Sequence, residues 1–184
     1  RDPKHLGIRY SQEDMIKQRN ILTTATDDHI TDIDGDNDLF DQFLKAAADS
    51  SFADCLKTFR STSGFVIWFG GSPVDWECKR QALVTLSTME SEYVAASKCV
   101  NSIRFLHKLM KFLDIDRQGP TAVDEDNSAC ISISTKTVHK SRSKHIGTKY
   151  HSVREACRNG EVTLVQVWTE HQVADIFTKS LKPA

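Results

Sequence analysis

The stretch from Thr88 to Leu113 limits this chain more than any other. Tyr93, Ala96, Val100, Ile103, Leu106, Met110 and Leu113 recur at spacings of three and four, which puts them on one face of a helix. Ser87 or Thr88 can cap that helix, and Glu90 falls in its first turn, where the helix dipole favours an acid. A one-sided helix of this length calls for an apolar layer to cover it. The residues upstream supply one. "SGFVIWFGG" (63–71) is β-branched, aromatic and closed by two glycines, and "VDWECKR" (74–80) alternates as its hairpin partner. "FLKAAAD", ending at Asp49, precedes them as a strand despite the poor strand propensity of its alanines.

Downstream, "TAVDED" reads as a strand, "NSACISIS" as a short helix and "EVTLVQVW" (161–168) as another strand. The basic run "KSRSKHIGTKYHSVREACRNG" is predicted helical, with Ile146, Tyr150, Val153 and Cys157 on one face and a stop at Asn159-Gly160. "HQVADIFTKSL" is predicted to close the chain as a short helix. Three hairpin-linked strands followed by βα alternation specify an α/β fold, with a mixed five-stranded sheet flanked by helices. Residues 1–45 form an acidic arm and 46–184 the domain itself, in a chain of 184 residues that does not begin with Met and reads as part of a longer one.

Several classes are excluded. No apolar run approaches the roughly 18 residues that a membrane helix needs, and "RDPKHLGIRY" has no apolar signal region. The five cysteines include no CxxC pair, so reduced, intracellular thiols are expected. "TDDHITDIDGDND" fails as a calcium loop: with Gly35 in the sixth position, the first is Ile30 and the twelfth Asp41, neither of them the residue that site requires. The net charge of -1 hides an asymmetry. Acids dominate from Glu13 to Asp54, whereas Lys136, Lys140, Arg142, Lys144, Lys149, Arg154 and Arg158 face one acid, Glu155. Such a basic block is either a solvated helix or a grip for nucleic acid.

Four carboxylates fall at element ends: Asp49 after the first strand, Glu90 in the long helix's first turn, Asp126 after the fourth strand and Asp175 in the last helix. Ligands of open α/β sheets gather at such ends. Acids brought together there repel unless cations neutralise them, and an all-oxygen donor set suits Mg²⁺ or Mn²⁺.

"RSTSGFVIWFGG", "DWECKRQALVTLSTMESEYVAAS", "RSKHIGTKYHSVRE" and "EHQVADIFTKSL" follow one another in an order that resembles the ribonuclease H domain of copia-type LTR retrotransposon Pol polyproteins. The resemblance begins near Ala48, and "HLGIRY" resembles the segment linking reverse transcriptase to that domain. It implies a ribonuclease H fold that hydrolyses the RNA strand of RNA–DNA hybrids with two Mg²⁺ or Mn²⁺ ions. It also implies a reverse transcriptase domain in the same polyprotein, no membrane, and an intracellular setting: cytoplasm, virus-like particle or nucleus.

Residue by residue, the resemblance implies Asp49, Glu90, Asp126 and Asp175 as catalytic metal ligands. Asp49 lies eleven residues before Arg60 of "RSTSG", with Asp54 as rival; Ser51, Phe52 and Asp54 replace the family's Asp, Trp and Gly. Asp124 and Glu125 are weaker rivals to Asp126. Glu92, about 200° round the helix from Glu90, is expected in the solvated turn. His145 and His151 are candidates for proton transfer, and Lys140, Arg142, Lys144 and Arg154 for phosphate contacts. Trp68 and Trp76 are expected in the core, with stacking on bases as the other reading. The block departs from the family at Gly147, where Asp is usual, and at Lys140, where His is common. The same residues are also compatible with an inactive or host-co-opted binding module on this fold. A related nuclease of the superfold, such as an integrase or junction resolvase, would lack these blocks.

Overall fold

The computed structural model describes residues 44–117, 119–135 and 147–179, with the side chains of 147–151 left aside. Strands β1 (Leu44–Ser51), β2 (Thr62–Phe69) and β3 (Ser72–Arg80) are followed by helix α1 (Thr88–Phe112), then β4 (Thr121–Glu125), α2 (Ser128–Thr135), α3 (Gly147–Arg158) and β5 (Val162–Gln166). Two 3₁₀ turns, Thr169–His171 and Val173–Phe177, follow. The sheet order is β3-β2-β1-β4-β5. The first three strands are antiparallel, and β4 and β5 run parallel to β1. The expected α/β architecture with a mixed five-stranded sheet is the one observed. No described helix is long and apolar enough to cross a membrane.

Gly70 and Gly71, with φ of 56° and 79°, make the two-residue turn between β2 and β3, where both positions need positive φ to match strand twist. Pro73 sits at the start of β3, an edge strand, where its missing N–H costs no central ladder bond.

β1 explains its own alanines. It is the central strand, and Ala46, Ala47 and Ala48 are wholly buried. Ala46 and Ala48 face α1 in the main core with Phe65, Ile67, Tyr93, Val100 and Ile103. Ala47 faces the other way and packs with Val66 and Ala174, flanked by Trp68 and Phe177. Layers on both faces leave room only for small side chains, so packing overrides propensity here.

The chain's end departs from expectation. Where one short helix over 171–181 is expected, the residues described up to 179 form two short 3₁₀ turns, the second lying against β1 and β2. Gln172 holds it there. Its Nε2 donates to Ala48 O (3.0 Å) and Asp124 O (3.4 Å), and its Oε1 accepts from Ala174 N (3.3 Å). Register between β1 and β4 runs only from Lys45↔Ala122 to Ala47↔Asp124. Gln172 therefore bridges the strands where they part. Gly64 completes the fit, since a Cβ there would lie 2.7 Å from Phe177 Cβ and 2.8 Å from Thr178 Cγ2.

Candidate functional site

The crevice where β1 and β4 part collects acids. Carboxylate oxygens of Asp49, Glu92 and Asp126 all lie within 4.8 Å of one another. Asp49 is 1% exposed and Glu92 6%, while Asp126 is half-buried. Glu125, between Asp124 and Asp126, is fully buried; its Oε1 accepts from Asn127 N at 3.1 Å. Asp175 stands on the second 3₁₀ turn, close enough for its charge to act on Asp49.

The long helix is the point at which the sequence expectation is corrected. Glu92, not Glu90, turns into the acid cluster. Ser87 caps α1, its Oγ accepting from Glu90 N at 3.2 Å, and Glu90 Oε2 reaches back to accept from Leu86 N at 2.7 Å. Ser87 makes its half of a Ser-x-x-Glu capping box, whereas the Glu90 carboxylate takes the N–H one residue before the cap; that bond occupies Glu90 at the helix end. Glu92 instead lies four residues before Ala96 and seven before Cys99, both fully buried, so helical periodicity carries it onto the core face. The signal was in the sequence, as a Ser-x-x-Glu pattern beside an apolar stripe.

The remaining positions are these. Asp49 is on β1 as expected; its rival Asp54 lies in the following loop, bonded by Thr62 Oγ1 at 2.8 Å and Arg80 at 3.5 Å. Asp124 pairs with Lys45 at 3.1 Å and is not among the three converging acids. Arg154 is engaged within the fold, its Nη2 donating to Ile133 O at 3.0 Å. Trp68 is half-buried against the second cluster, whereas Trp76 is 57% exposed on the edge strand. Lys140, Arg142, Lys144 and His145 lie outside the described residues, as do residues 1–43 of the arm and the side chain of His151.

Electrostatics make the cluster compatible with a bound cation. Burial first, then the charges of Glu125, Asp49 and Asp126, raises Glu92 far above the usual carboxylate range. Burial likewise raises Glu125. Asp49 is raised to about 6 by burial, against the opposing effects of the Thr178 hydroxyl and Lys179. Among the described residues, three buried side-chain polar atoms lack a hydrogen bond: Gln81 Oε1, Glu92 Oε2 and Glu125 Oε2. Two belong to these acids. An unpaired buried acceptor costs about 1–3 kcal/mol, which a bound cation would relieve. An oxygen-only donor set of this kind fits a hard divalent ion.

Two hydroxyls fix the flanking acids. Thr178 Oγ1 donates to Asp49 Oδ2. Thr169 Oγ1 donates to Asp126 Oδ2 at 2.9 Å, and Gln166 Nε2 to the Asp126 carbonyl at 2.8 Å.

No protein-family model matches the chain. Among curated proteins it is 30% identical over 138 residues to the retrovirus-related Pol polyprotein from transposon RE2 of Arabidopsis thaliana, covering 75% of this chain and 10% of that protein. It is 30% identical over 139 residues to the Pol polyprotein from transposon TNT 1-94 of Nicotiana tabacum, covering 76% of this chain and 10% of that protein. The chain thus spans about a tenth of the length of the curated relatives it matches. Among solved structures, LC11-RNase H1, isolated from compost, superposes with a TM-score of 0.55 at 15% identity, over 74% of this chain and 92% of that one. LC11-RNase H1 has also been solved in complex with an RNA/DNA hybrid.

Proposed function

We propose, on the premise that the chain is a homologue of a transposon Pol-polyprotein segment and has the ribonuclease H fold, that it is a metal-dependent endonuclease. Its substrate is the RNA strand of an RNA–DNA hybrid formed during reverse transcription of a copia-type element. One observation carries the reading: Asp49, Glu92 and Asp126 converge within 4.8 Å, and a buried oxygen of Glu92 has no partner.

In this reading Asp49, Glu92 and Asp126 would hold Mg²⁺ or Mn²⁺, and Asp175, beside Asp49, would be available to a second ion. Bound there, the ions would supply an activated water and charge neutralisation at the phosphodiester. The chain's own contribution is placement. Thr169 and Gln166 aim Asp126, Thr178 aims Asp49, and the buried face of α1 fixes Glu92, so the donors do not have to be reorganised on binding. Lys140, Arg142 and Lys144 of the basic segment are proposed to contact hybrid phosphates, with Arg154 supporting that segment through Ile133. The reverse transcriptase of the same polyprotein is the proposed partner. The cytoplasm, virus-like particle or nucleus is the proposed setting.

The test is cleavage of a labelled RNA–DNA hybrid with Mg²⁺ or Mn²⁺ by the wild type, Glu92→Gln and Glu90→Gln. The expected outcome is loss of about 10²-fold or more in Glu92→Gln, with Glu90→Gln close to wild type. Equal activity in wild type and Glu92→Gln would overturn the site. A folded wild type that binds hybrid tightly without cleaving it would favour the inactive binding module.

A further inference from the structure

The end of the second 3₁₀ turn brings a fixed positive charge to the acids. Lys179 Nζ lies 2.6 Å from Asp175 Oδ1 and 3.9 Å from Asp49 Oδ1, so one ammonium spans two carboxylates from different elements. Its position is built by the fold. Gly64, opposite Asp49 in the β1–β2 register, lets residues 174–178 lie against the sheet. Thr178 bonds Asp49, and Lys179 N donates to Asp175 O at 2.8 Å. Asp49 is 1% exposed, and its negative charge has little solvent to screen it. Lys45, a second cation at the same sheet, is directed to Asp124 at 3.1 Å instead.

We propose that Lys179 is a tethered counter-ion for the ion-free site. It holds Asp49 and Asp175 together in the place that a second divalent cation would take, so that the ammonium and that cation exclude each other. The inference rests on the divalent-ion reading above. Its physical basis is that both species are cations seeking the same two carboxylates, and two positive charges a few Å apart in a half-buried site repel strongly. Lys179 is therefore a positioning residue that sets how much divalent ion the second position requires. The competing description is a solvated i,i+4 pair on a side chain 43% exposed, which would contribute little and compete with nothing.

The test is a Mn²⁺ titration of the full chain without nucleic acid, read by the electron paramagnetic resonance of free Mn²⁺. It compares wild type with Lys179→Met, Lys179→Gln, Lys179→Arg and Lys45→Met. Removing the charge at 179 is expected to tighten the weaker binding step about tenfold, against about twofold for Lys45→Met, whose effect is only the screened long-range field. Lys179→Arg should stay near wild type, and the ion-free thermal midpoint of both neutral variants should fall. An unchanged weaker step in the neutral variants, or an equal shift in Lys45→Met, overturns the inference alone. Absence of Mn²⁺ binding in every protein overturns the divalent reading, and this inference with it.

Discussion

Replacing Gly64 by Ala probes how the C-terminal turn is held over the sheet. Gly64 pairs with Asp49, and an added Cβ would meet Phe177 Cβ at 2.7 Å, Thr178 Cγ2 at 2.8 Å and Ala174 O at 3.3 Å. Carbon atoms pack at about 3.5–4.0 Å, so the turn has to retreat by roughly 1 Å. Little here can give way. Two of the atoms are a Cβ and a carbonyl, and rotating Thr178 Cγ2 aside withdraws the hydroxyl from Asp49. Overpacking of this kind costs about 1–3 kcal/mol. Restricting the unfolded chain by replacing Gly returns about 0.4–1 kcal/mol, for a net loss centred on about 1.3 kcal/mol. Urea unfolding followed by circular dichroism should show a lower midpoint at an unchanged slope. Thr178→Ser removes Cγ2 but keeps the hydroxyl, so in the Gly64→Ala background it should recover part of the loss. A double-mutant cycle should give a coupling of about 0.5–1.5 kcal/mol. A Gly64→Ala protein as stable as wild type would refute the close approach; a loss with zero coupling would refute the part assigned to Thr178.

Glu90→Ala should cost about 0.5–1 kcal/mol as a lost cap while leaving Mn²⁺ affinity unchanged, whereas Glu92→Ala should abolish Mn²⁺ binding; calorimetry of both separates the two roles. Gln172→Leu removes the donor shared by the Ala48 and Asp124 carbonyls and should destabilise by about 1–3 kcal/mol in urea unfolding. His107, hydrogen-bonded to Thr121 Oγ1 at 2.8 Å, is lowered from 6.5 to about 4 by burial and then by Arg117. It stays neutral in the fold while the unfolded chain takes up a proton below 6.5. Stability from this group is thus present above that value and lost as pH falls toward about 4. Discounted for its half-exposure, the swing is about 1 kcal/mol. Unfolding midpoints across that window should be flatter with pH in His107→Gln than in wild type.

Much of this architecture is legible because its elements are one-sided or strongly typed. The stripe from Tyr93 to Met110 specifies α1, and the double glycine after Phe69 specifies the hairpin. The choice between Glu90 and Glu92 was also open to a reading of the sequence. Ser87-Thr88-Met89-Glu90 carries the Ser-x-x-Glu pattern of a helix start, and extending the stripe back from Ala96 reaches Glu92. The resemblance pointed to Glu90 because two glutamates two residues apart satisfy one short motif equally well, whereas the fold carries Glu92 into the acid cluster. The terminal turn was less legible. "HQVADIF" has the composition of a short helix, yet its shape depends on Gln172 finding carbonyls on β1 and β4, far away along the chain.

What the sequence by itself determined was therefore local: where strands, turns and the long helix lie, which faces are apolar, and that acids stand at the ends of these elements. Hydrogen bonding to near neighbours and side-chain periodicity act over a few residues, so they are written in the order of the chain. Only the tertiary structure decided which acids meet. Asp49, Glu92 and Asp126 come from a strand, a helix and a loop, and Thr178 and Lys179 join them because Gly64 lets the last turn lie flat on the sheet. Their mutual repulsion, and the cation that would answer it, exist only once burial has removed the water that would otherwise screen them.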